Sequence, residues 1–171
     1  MRAKTSTWFD CKASVAKMQE DGTAKPITEQ YLVEAFSCTE AEDTLAEELA
    51  TLYPGGFEIT SLKKINYNEI FFSDKDTDDY WYKAKLMYIT IDEKTEKEKK
   101  SAVNHLVQAH SLSQAVGYIQ DAMSGGMIDF TIHTLQETSY VDVIEHTKPS
   151  GKKNEKDDKP EYEQAEAAPA E

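Results

Sequence analysis

The sequence predicts an α+β protein built from a duplicated strand-strand-helix-strand-strand unit, each copy an antiparallel sheet with one helix on one face. Three observations carry this. The chain repeats itself at a nearly constant offset. A helix-capping signature recurs at the same place in each copy. The segments around the two helices alternate in the manner of half-buried strands.

The repeat comes first, because it sets the frame. "WFDCK" at 8–12 returns as "WYKAK" at 81–85, and "FEITSLKKINYNEIF" at 57–71 as "FTIHTLQETSYVDVI" at 130–144, both 73 residues on. Phe57/Phe130, Ile59/Ile132, Leu62/Leu135 and Tyr67/Tyr140 are identical pairs. "YLVEAFSCTEAE" matches "HLVQAHSLSQAV" 74 residues later. One copy spans about 8–72 and the other about 80–145, within a domain covering 1–146.

The elements follow in order. Residues 8–18 place Phe9, Cys11, Ala13 and Val15 on one side and Trp8, Asp10, Lys12 and Ser14 on the other, a strand with one core face. Asp21-Gly22 supplies a hairpin turn, and 27–36 returns as the second strand. "SCTE" and "SLSQ" are capping boxes, in which the serine oxygen takes a free helix amide and Glu or Gln reaches back. The first helix buries Ala41, Leu45, Leu49 and Leu52 and ends at "PGG"; the second buries Ala115, Ile119, Ala122 and Met123 and ends at "SGG". A third strand follows each helix, and "YNEIFF" and "YVDVI" supply a fourth. Read instead from 57 to 124, the order becomes four strands and then a helix.

The span from "WFDCK" to "YVDVI" resembles an uncharacterised family of Bacteroidetes and their phages, defined only as a domain of unknown function. That resemblance implies no activity. The duplicated order of four strands and a helix is similar in topology to Whirly-type and PUR-type single-stranded nucleic-acid-binding domains, with no motif residue to carry over.

The composition excludes several classes. No run of 18 apolar residues exists to span a membrane, and "MRAKTSTWFDCK" lacks an apolar leader. The expectation is a cytoplasmic protein of a bacterial cell. Cys11 and Cys38 have no metal spacing and read as buried thiols. His105, His110, His133 and His146 form no ligand pattern. In "SDKDTDD", Asp74, Asp76 and Asp78 alternate as at the start of a calcium loop, but the required Gly and Glu are replaced by Asp79 and Lys85. The run reads as a solvated linker. No catalytic constellation, metal site or cofactor motif is present, so neither enzyme activity nor a cofactor is expected.

Charge and aromatics give the functional expectation. The net charge is −13, which opposes general attraction to polyanions. Its distribution is uneven. Outside 148–171 there are 14 basic residues, all within 1–25 and 63–100, and the helix over 39–53 has none. Strand parity turns Trp8 and Lys12, and by repetition Trp81, Lys83 and Lys85, away from the helix. Lys63 and Lys64 are expected at the rim, with Lys97, Lys99 and Lys100 on a hairpin reaching over it. Exposed rings stack on bases and lysines take phosphates, so these residues are the candidate surface for single-stranded DNA or RNA. Residues 147–171 read as a disordered tail whose tip, Glu161, Tyr162, Glu163, Glu166 and Glu171, recruits replication or repair proteins or competes with the polyanion. A homo-oligomer is expected, and no membrane partner. The alternatives are an adaptor or phage assembly protein using the same face as an interface, and a nucleotide-binding oligomer.

Overall fold

The computed structural model describes residues 1–146; the tail and its proposed tip lie outside them. The elements are β1 (Arg2–Lys4), β2 (Trp8–Met18), β3 (Ala24–Glu34), α1 (Cys38–Leu52), β4 (Phe57–Ile65), β5 (Glu69–Phe72), β6 (Tyr80–Ile91), β7 (Glu98–Ala109), α2 (Leu112–Met123), β8 (Asp129–Glu137) and β9 (Tyr140–Ile144). The fold is α+β, with two sheets of order β1-β5-β7-β6-β8 and β4-β2-β3-β9.

The duplication is visible in the registers. Leu62 pairs with Cys11 and Ile59 with Ala13; 73 residues on, Leu135 pairs with Ala84 and Ile132 with Leu86. The same β-bulge falls between Lys12 and Ala13 and between Lys85 and Leu86. Both helices open on the capping serine. Ser37 Oγ accepts from the Glu40 amide at 3.1 Å, and Ser111 Oγ from the Gln114 amide at 3.3 Å. The Glu40 and Gln114 side chains reach back one residue beyond the cap, to the amides of Phe36 and His110.

One feature departs from the expected antiparallel sheets. β5 pairs in parallel with β7, and β9 in parallel with β3. Each copy therefore gives its fourth strand to the other copy's sheet, and both sheets are mixed. The order read from 57 to 124 is not one structural unit, because β4 lies in the other sheet. Burial explains the exchange. Phe71 faces the α2 core while Ile70 and Phe72 face the opposite side, so β5 is apolar on both faces. A hairpin partner at the outer edge of β4 would leave one of those faces in water. Inserted between β1 and β7, both are covered.

Three cores result. α1 packs Ala41, Leu45 and Leu49 on Phe9, Cys11, Ala13, Val15, Tyr31 and Val33. α2 packs Ala115 and Ile119 on Tyr82, Ala84, Leu86 and Val107. The third lies between the helix-free faces of the two sheets and contains Trp8, Leu32, Tyr67, Ile70, Phe72, Trp81, Leu106, Tyr140 and Val143. Tyr67 and Tyr140, equivalent residues of the two copies, meet with their hydroxyls 3.4 Å apart. Equivalent residues that touch lie on the axis relating the copies.

Several expectations change. Leu52 and Ala122 are exposed, beyond the parts of the helices that reach a sheet. Cys11 is buried but Cys38, the first residue of α1, is exposed; both thiols are free. β1 has no signal in its sequence. It exists because Arg2–Lys4 cover the open edge of β5 and Arg2 and Lys4 pair with Glu145. The linker is not wholly solvated either. Asp78 is 1% exposed and accepts from Ser73 and from the Tyr118 hydroxyl, pinning the joint to α2.

Candidate nucleic-acid interface

Strand parity places side chains on the expected sides, but one of those sides is occupied. Trp8 is 0% and Trp81 4% exposed. Both turn away from the helices, as alternation requires, and both enter the inter-sheet core. Phe72 lies between them, with centroids 6.5 Å from Trp8 and 5.5 Å from Trp81. The expected stacking platform is therefore absent from the surface. The physical reason is the second sheet: a single unit would expose these rings, and the duplicated molecule packs one unit's rings against the other's.

Beyond the tryptophans the same faces turn polar and form two adjoining clefts. One, of about 350 Å³, is lined by Lys83, Lys85, Asn104, Thr134 and Gln136. The other, of about 340 Å³, spans both sheets and includes Asp10, Gln30, Lys63, Tyr67, Lys83, Gln136 and Tyr140. Lys83 and Gln136 are common to both. The register shows why these residues converge. On β6, Lys83 stands opposite Gln136 and Lys85 opposite Thr134 on β8; across the other side of β6, Lys85 faces Asn104. Lys63 stands opposite Asp10. Among the described residues Lys63, Lys83 and Lys85 form no ion pair, so their charges are uncommitted.

The other expected lysines do not join them. Lys12 lies exposed on the same face but lines neither cleft. Lys64 stands opposite Phe9 and so points to the helix side, one residue out of phase with Lys63. Lys99 stands opposite Thr90, again on the helix side; Lys100, opposite Ile89, shares the face of Lys85 but lies farther along the hairpin. Lys97 belongs to the turn that closes that hairpin.

Asp10, Gln30, Asn104, Thr134 and Gln136 were not singled out by the sequence. Asp10 is 6% exposed and its Oδ1 accepts from Gln30 Nε2 at 2.7 Å. Nearby, burial raises the pKa of both Tyr67 and Tyr140, and their coupling adds to it for Tyr140, so both stay protonated donors. The usable signal was the identity of Tyr67 and Tyr140 between copies, which marks the axis where the cleft opens.

Among the described residues, no group of three or more His, Cys, Asp or Glu is arranged to hold a metal ion, and no helix is long and apolar enough to cross a membrane. A duplicated two-sheet module with a lysine- and amide-lined cleft at its axis is thus the class of protein defined by the fold. The chain belongs to the family described as Domain of unknown function (DUF4494), whose model matches residues 7–146. No curated protein and no solved structure matches it.

Proposed function

We propose that the protein binds single-stranded nucleic acid through the paired clefts, by its phosphates rather than by aromatic stacking. The observation that carries this is the set of three lysines, Lys63, Lys83 and Lys85, that form no ion pair among the described residues and are held beside the side-chain amides of Gln30, Asn104 and Gln136. Ammonium groups meet phosphate oxygens and amides meet sugar and base edges. The acidic surroundings keep binding weak and confined to the clefts. The reading extends to a replication or recombination accessory of phage or Bacteroidetes origin in the bacterial cytoplasm, with Whirly-like use of a sheet face and a tail tip that recruits partners.

The test is binding of a labelled oligothymidine across salt concentrations. Three phosphate contacts on a single strand give a log–log slope of about −2, from ~0.7 per phosphate. Lys83→Ala and Lys85→Ala should each flatten it by about 0.7. A slope near zero, or slopes unchanged in both variants, overturns the proposal.

One observation favours the adaptor reading. Met87, Ile89 and Ile91 continue the outer face of β6, and Ile91 is 71% exposed. Such a face suits a second copy or another protein. Sedimentation of Ile91→Lys against the parent separates the two: dissociation of an oligomer with unchanged oligonucleotide binding assigns this strip to assembly.

A further inference from the structure

We infer that the inter-sheet cleft recognises a guanine base, with Asp10 as the residue that reads it; this rests on the nucleic-acid reading above and adds a base preference to it. Asp10 is nearly buried, yet only one of its oxygens is used. Oδ1 accepts from Gln30 Nε2 at 2.7 Å. Oδ2 has no partner among the described residues and is not sealed off, so it opens on the cleft. Open to the cleft and free of protein donors, Oδ2 keeps its acceptor capacity for a donor that enters there.

The repeat sharpens the point. The position equivalent to Asp10 in the second copy is Lys83, and that equivalent to Lys63 is Gln136. All four line the cleft across the axis. Lys63 of the first copy and Glu137 of the second line the same cleft. A ligand that spans it from Asp10 to Lys83 meets a carboxylate at one end and an ammonium at the other. It must offer donors at one end and an acceptor at the other.

Among the bases only guanine offers two adjacent donors, N1–H and the 2-amino group, beside an acceptor, O6. Oδ2 takes one of these donors, Oδ1 keeps a second lone pair beside Gln30 for the other, and a lysine suits O6. Cytosine and adenine place a ring acceptor next to their amino group, which Asp10 would repel. Thymine and uracil flank a single N–H with two carbonyls. The cleft, at about 340 Å³, is in the size range of small-ligand sites, ~300–1,000 Å³.

The experiment uses the full chain and three oligonucleotides: oligothymidine, the same with one central dG, and the same with inosine, which keeps N1–H and O6 but lacks the 2-amino group. The dG oligonucleotide should bind roughly tenfold tighter than oligothymidine, with inosine between them. Asp10→Asn, which preserves the shape and can still accept from Gln30, should erase that preference, so that the dG, inosine and thymidine oligonucleotides bind the variant alike. Equal binding of dG and thymidine by the parent protein overturns the inference, and this measurement needs no variant. A loss in Asp10→Asn that is equal for all three also overturns it, since Asp10 then only positions its neighbours. Salt-dependent oligothymidine binding without a dG preference sinks the base reading alone; absence of all binding sinks the proposed function with it.

Discussion

Trp8 and Trp81 are the two places where the molecule can be pressed hardest. Each buries an indole between the sheets, and an indole hides ~150–250 Å². At ~25 cal/mol per Å² this is worth about 4–6 kcal/mol as an upper bound, so truncation to Ala should cost about 3–5 kcal/mol. The pair differ in one atom. The Trp8 indole nitrogen is sealed and has no partner, whereas that of Trp81 is not among the sealed, unpartnered atoms. An orphaned buried N–H costs about 1–3 kcal/mol. Replacing tryptophan by phenylalanine loses about 1–2 kcal/mol of packing. At Trp8 that loss is offset by removing the orphan, so Trp8→Phe should be near neutral. At Trp81 nothing offsets it, so Trp81→Phe should cost the full amount. Urea unfolding followed by circular dichroism reads this directly: with a slope near ~2 kcal/mol/M, 4 kcal/mol moves the midpoint by about 2 M. Alanine variants that lose less than about 1 kcal/mol, or Phe variants of equal cost, would refute the inter-sheet core as described.

His105 is fully buried, stacked at 5.5 Å on Phe71, with Nε2 3.0 Å from the Tyr88 hydroxyl. Burial pushes its pKa down to about 4, below its ordinary 6.5. Its contribution is therefore intact above pH 6.5 and lost as pH falls toward 4, by about 3 kcal/mol over the window; His105→Tyr, which copies Tyr31 of the other unit, should flatten the stability–pH curve between pH 4.5 and 6.5. Ser37→Ala and Ser111→Ala should each cost about 1 kcal/mol in chemical denaturation, a matched pair because the caps are equivalent. Glu145→Gln breaks the bidentate contact with Arg2, yet half of the arginine is exposed, so the loss should stay within about 1 kcal/mol and shrink in high salt. Removing 147–171 should tighten oligonucleotide binding modestly at low salt if the acidic tip competes for the clefts; unchanged or weaker affinity rejects competition.

Most of the local structure was legible, and the reasons are specific. β2 begins at Trp8 and ends at Met18 as its alternation requires, and Gly22 sits at the turn with φ of +80°. The helix starts follow the two serines. The repeat alone makes Phe57 equivalent to Phe130, and the registers agree: Phe57 pairs with Val15 and Phe130 with Tyr88. The partner of the fourth strand was not legible. Three residues separate β4 from β5, and proximity argues for a hairpin, but a strand apolar on both faces needs cover on both. Here that cover comes from the other copy's sheet, between β1 and β7. The same gap explains the tryptophans. Parity says which face a side chain takes and is silent about what lies against that face.

The strand exchange also accounts for why the candidate site lies where the copies differ. Tyr67 and Tyr140 match across the axis, where each packs on its own equivalent. Residues just outside the inter-sheet core carry no such constraint. Asp10 and Lys83, and Lys63 and Gln136, occupy equivalent strand positions and have diverged in charge, while Trp8 and Trp81 beside them have not. A duplicated fold held by its symmetric core is free to become asymmetric at the rim of that core. There a single cleft places Asp10 of one unit and Lys83 of the other at equivalent positions, where two identical units would set like charges against each other across the axis.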